Sequence, residues 1–86
     1  MQIENKLEYL LEIASKFGLE IRAERLGGSG GGLCKLKGKS ILFVDLDTEP
    51  FQRYEVLLSC IINFDLSGIY VLPEIRDDID KLKSRE

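Results

Sequence analysis

Over residues 3–17 the apolar positions Ile3, Leu7, Leu10, Leu11, Ala14 and Phe17 recur at steps of three and four. That spacing gathers side chains on one face of a helix, and Gly18 predicts where it stops, as a C-cap. From Leu19 the period changes to two. Leu19, Ile21 and Ala23 alternate with Glu20, Arg22 and Glu24, which predicts a strand with one solvated face. A second short strand is predicted over residues 33–37, with Cys34 and Leu36 on one side and Lys35 and Lys37 on the other. The third, over residues 40–46, is apolar on both sides: Ile41 and Phe43 on one, Leu42, Val44 and Leu46 on the other. Such a strand needs cover twice. Helices on both faces of a central strand would supply it, and so would a second copy of the chain.

The period returns to helical after Pro50. Asp47 or Thr48 is the expected N-cap and Pro50 a first-turn residue. The helix runs to about residue 64, burying Phe51, Tyr54, Leu57, Leu58, Ile61 and Ile62. A turn follows over residues 65–68, and Pro73 opens a last helix with Ile75, Ile79 and Leu82 inward. The expected fold is α+β and a single domain over residues 1–86: an N-terminal helix, a three-stranded antiparallel sheet, then two C-terminal helices packed on the sheet. If the first two strands pair, Lys35 and Lys37 lie opposite Glu20 and Glu24.

Composition narrows the function classes. With 86 residues the chain is large enough for one small core, in the size range where association often supplements stability. A net charge of −3 disfavours nucleic acid as a partner, because phosphate neutralisation calls for clustered lysine and arginine. No apolar stretch approaches the roughly 20 residues of a membrane span. Glu4 and Glu8 stand where a secretion signal is basic, so a cytoplasmic location and no membrane partner are expected. Two cysteines of no recognisable spacing and no histidine predict reduced thiols, no metal and no cofactor.

Six glycines fall within residues 27–38, and the segment Gly32-Leu33-Cys34-Lys35-Leu36-Lys37-Gly38-Lys39-Ser40 nearly spells a phosphate-binding loop. Five residues separate its two glycines where the motif requires four. An apolar strand follows where the motif requires a helix. A hairpin turn at Lys37 to Ser40 explains the segment better, with Gly38 at positive φ. Asp45-Leu46-Asp47-Thr48 similarly resembles the nucleophile strand of haloacid-dehalogenase-type phosphatases, but lacks one residue before the threonine.

Some chemistry remains open. The run Gly27 to Gly32 serves either as a flexible connector or as a ligand loop, in which Gly28, Gly30, Gly31 and Gly32 offer backbone N–H groups to an anion beside Arg25 and Lys35. Cys34 is the one candidate nucleophile. With no histidine as base it is expected to be a small core residue, with a reactive thiol as the alternative. Asp45, Asp47 and Glu49 cluster at a strand-to-helix junction. Capping accounts for Asp47 and the helix dipole for Glu49, which leaves Asp45 unassigned. Arg76 is expected as an exposed charge, or else folded onto Asp45 or Asp65 to close a pocket against Tyr70.

The segment Gly32 to Lys39, Phe43-Val44-Asp45, Arg53 to Leu57, Ile69-Tyr70 and Pro73-Glu74-Ile75-Arg76 resemble a small family of uncharacterised bacterial proteins, over roughly the last two thirds of the chain. That family has no assigned activity, so the resemblance implies no function. The hairpin followed by an apolar helix is similar to metallopeptidase-like domains of phage-repressor regulators, whose His-Glu-x-x-His this histidine-free chain lacks. The sequence therefore favours a noncatalytic protein–protein interaction module that self-associates, as a dimer. The alternative is a small-ligand or anion-binding protein using residues 27–32, and an enzyme working through Cys34 ranks third.

Overall fold

The structure, a computed structural model, describes residues 1–85. Helix α1 (Ile3–Lys16) leads into strands β1 (Glu20–Glu24), β2 (Gly32–Leu36) and β3 (Lys39–Asp45), followed by helices α2 (Pro50–Ile61) and α3 (Pro73–Lys83). The α+β class and the order of elements are those the periodicities predict. Helix α1 stops as expected: the N–H of Gly18 donates to the Ser15 carbonyl and that of Leu19 to the Ala14 carbonyl, the paired bonds of a Schellman motif. Strands β2 and β3 form the expected hairpin, its turn being the two residues Lys37 and Gly38, with Lys39 and Ser40 already in β3. Lys37 and Gly38 have φ of 50° and 80°, the twist that a type I′ turn requires.

The sheet is not wholly antiparallel. Its order is β1-β3-β2, with β3 antiparallel to β2 and parallel to β1. Consecutive strands usually pair, but here the both-sided apolar strand takes the central place, where neighbours on each side shield it. The connection made by residues 25–31 is what permits this. It arches over the C-terminal end of β3 and spans two strand spacings, about 10 Å, where a tight hairpin would have forced β1 onto β2. With β3 between them, Lys35 and Lys37 do not face Glu20 and Glu24.

Both long helices lie on one side of the sheet. Leu42 and Val44 of β3 join Leu10, Ile13, Leu57 and Ile61 in one buried cluster, to which α3 adds Ile75 and Ile79. Each fully buried aliphatic side chain there contributes about 1.5–3 kcal/mol. A polar seam ties the three helices. The Tyr54 hydroxyl donates to Asp78 Oδ2 at 2.7 Å and Lys6 Nζ donates to the same oxygen at 2.9 Å. Burial, helped by that hydrogen bond, pushes the Tyr54 hydroxyl pKa well above its ordinary range. Burial alone would raise Asp78, but the hydrogen bonds from Tyr54 and Lys6 outweigh it and hold the carboxyl below its ordinary value.

Helix α2 begins at Pro50 as predicted, but neither Asp47 nor Thr48 caps it. The N-cap is Glu49, which makes no side-chain capping bond. Asp47 and Thr48 are engaged elsewhere.

Candidate functional site

The register of the three strands sorts the side chains of the sheet. Partners in a ladder point to the same side, so Glu20, Arg22 and Glu24 of β1 share a face with Ile41, Phe43 and Asp45 of β3 and with Gly32, Cys34 and Leu36 of β2. Four rows result: Leu36 with Lys39; Cys34, Ile41 and Glu20; Gly32, Phe43 and Arg22; Asp45 and Glu24. This is the face opposite the helices, and none of the described helices covers it. Ile41 is nonetheless only 1% exposed and Phe43 is half-buried. Ile41 lies outside the helix-side cluster. Leu36 is 51% exposed.

Cys34 is exposed on this face, not in the core. Alternation placed it with Leu36 correctly, but the side they share is the open one. Cys60, on α2, is half-buried, and burial pushes its thiol pKa up. Lys35 points to the other side of edge strand β2, in register with Ser40, and is exposed.

At the far end of the open face the residue 25–31 connection closes over Asp45. This carboxylate is fully buried. Its Oδ1 accepts the N–H groups of Leu26 at 3.0 Å and Asp47 at 2.9 Å, and its Oδ2 accepts that of Gly30 at 3.0 Å. These bonds, Gly30 foremost, outweigh the opposing effect of burial and hold the Asp45 carboxyl below its ordinary pKa. Asp47 completes the clasp, accepting the Gly27 N–H at 2.9 Å and Arg25 Nη1 at 3.0 Å. The Thr48 hydroxyl donates to the Asp45 carbonyl at 2.7 Å, and Arg53 reaches the carbonyls of Asp45 and Thr48 at 3.2 and 2.8 Å.

The glycine run is thus an anion-binding arch whose anion is supplied by the chain itself. Gly31 must be glycine for a steric reason: a Cβ there would sit 2.3 Å from the Phe43 carbonyl oxygen. Of the residues named for a ligand loop, Gly30 holds Asp45 and Arg25 holds Asp47. Gly31 and Gly32 instead floor a hollow on the open face, lined also by Leu26, Leu33, Cys34 and Phe43.

Asp45, Arg76 and Tyr70 do not converge. Asp45 is enclosed by the arch, Tyr70 is 73% exposed, and Arg76 lies on the outer side of α3 in a groove with Asp65 and Asp80. Among the described residues Arg76 makes no ion pair with either aspartate. Three groups escaped the sequence: the Asp45 clasp, Arg53 as the brace of the β3–α2 turn, and the Tyr54-Asp78-Lys6 seam. Only the first left a trace, in the coincidence of a glycine run with an aspartate pair; the partnership itself depends on β3 threading beneath the arch. Among the described residues no buried side-chain nitrogen or oxygen lacks a hydrogen-bond partner, and no group of three or more acidic or thiol side chains is placed to hold a metal ion. None of the described helices is long and apolar enough to cross a membrane. No family model, curated protein or solved structure matches the chain, so the functional reading rests on this geometry.

Proposed function

We propose that the chain is a noncatalytic interaction module that associates with a second copy of itself through the open face of its sheet. The observation that carries this is the stripe Leu36, Cys34, Ile41 and Phe43 on a face that none of the described helices covers. Ile41 is already buried; what still offers apolar surface there is Leu36, Cys34 and the half-buried Phe43, and covering them removes it from water, the dominant favourable term in association. The arch supports the same reading, because its Leu26, Gly27 and Gly30 N–H groups are already engaged by Asp45 and Asp47. A three-stranded face of this length covers about 300 Å², against roughly 800 Å² per partner in a standard interface. The expected association is therefore weak.

Sedimentation velocity over a range from roughly 1 µM to roughly 1 mM, spanning the affinities of small interfaces, is the test. The wild-type chain is expected to pass from monomer to dimer across that range. Cys34→Arg, a charge placed at an exposed position in the stripe, is expected to stay monomeric with an unchanged fold by circular dichroism. A wild-type chain that stays monomeric at every concentration overturns the proposal.

A further inference from the structure

Resting on that reading, we infer that the second copy docks face to face about a two-fold axis that runs across the strands, between the rows of Ile41 and Phe43, so that Leu36 of each copy enters the glycine-floored hollow of the other.

The four rows decide the axis. A half-turn about this line lays the Cys34-Ile41-Glu20 row on the partner's Gly32-Phe43-Arg22 row. Ile41 then meets Phe43, Cys34 meets the space left open by Gly32, and Glu20 meets Arg22. Within one copy Arg22 already pairs with Glu20, so the four side chains form a square of alternating charge. The outer rows exchange too: Leu36 and Lys39 of one copy fall on the end where the other carries Glu24 and the arch. In a single copy neither Lys39 nor Glu24 has an ion-pair partner among the described residues. Leu36 arrives where Leu26, Gly31, Gly32, Cys34 and Phe43 leave the hollow. The exposed Leu36 and the hollow beside Gly31 and Gly32 are thus related by one rotation, as an isologous contact demands.

The other in-plane axes fit worse. An axis along β3 lays β1 on the partner's β2, setting Glu20 and Arg22 against Cys34 and Gly32, where nothing answers their charge. An axis passing through either central row stacks Glu20 on Glu20 or Arg22 on Arg22, and like charges so juxtaposed are costly. Sheets packed face to face lie about 10 Å apart, within reach of the long side chains involved.

A charge-reversal mixture tests the axis apart from association itself. Glu20→Arg and Arg22→Glu are each expected to weaken dimerisation by about tenfold or more, since each sets like charges against each other. An equimolar mixture of the two variants, and the doubly substituted chain E20R/R22E, are expected to regain wild-type association, because opposite charges again face each other. Leu36→Asp is expected to abolish association while leaving the fold intact. If the wild-type chain dimerises and the single reversals and Leu36→Asp dimerise equally well, the axis is overturned and self-association stands. If single reversals weaken the dimer but neither the mixture nor the double variant recovers, the Glu20–Arg22 pairing is overturned. A wild-type chain monomeric at all concentrations overturns the axis together with the reading beneath it.

Discussion

On the helix side of β3, Leu42 and Val44 share one buried cluster with residues of all three helices; on the other side, Ile41 and Phe43 lie outside that cluster. The strand is equally apolar on both faces, and the fold completes only one of them. Low exposure does not reveal the difference, because Ile41 is as buried as Leu42. What separates the faces is the layer above: one has helices, the other has Arg22, Glu20, Lys39 and an exposed Leu36.

Substitutions should separate the faces in order of size. Leu42→Ala, which opens a cavity between sheet and helices, is expected to destabilise the fold by about 2–5 kcal/mol in urea denaturation of the dilute monomer. Leu36→Ala on the open face is expected to change monomer stability by no more than about 0.5 kcal/mol. Comparable losses from the two would break the contrast.

Asp45→Asn tests the arch that borders the open face. The carboxylate accepts from Leu26, Asp47 and Gly30. An amide turns one of those acceptors into a donor facing a donor, so the melting temperature is expected to fall and the Gly30 amide to exchange faster with solvent. The pH dependence follows from direction alone. Because the folded-state pKa of Asp45 lies below its ordinary value of 3.8, its stabilising contribution is complete above that value and is lost as pH falls through the folded-state pKa. Asp78 and Asp65, held low by Tyr54 with Lys6 and by Ser67, act in the same sense. Acid unfolding followed by circular dichroism is therefore expected to be less steep in Asp45→Asn than in wild type, though not flat. The smallest effect belongs to Arg76→Ala, on the exposed side of α3, expected within about 0.5 kcal/mol of wild type by the same urea measurement. A larger loss would reveal a contact absent from the geometry described above.

Much of this was legible in local patterns. The three- and four-residue steps of α1, α2 and α3, the period of two in β1 and β2, the Schellman end at Gly18 and the Lys37-Gly38 turn each rest on interactions between residues close in the chain. The candidate site was legible only in part. Alternation put Cys34, Leu36, Ile41 and Phe43 where they are relative to their own strands, but not which side the helices would choose, so Cys34 was expected inside. Asp47 and Thr48 carry a capping signal, yet Thr48 turns back onto the Asp45 carbonyl three residues earlier, and Asp47 holds Gly27 and Arg25, tertiary donors that displace a local one of similar strength.

By itself, then, the chain's order of residues determined its elements, the glycine stop of α1, the β2–β3 turn and the two-sided apolar character of β3, since these follow from periodicity and backbone preference over a few residues. Only the tertiary structure decided that β3 slips between β1 and β2, that the glycine run closes on Asp45, and that both helices crowd onto one face. Those outcomes depend on contacts between segments whose separation along the chain leaves no local trace, and they alone determine which apolar face the helices leave uncovered.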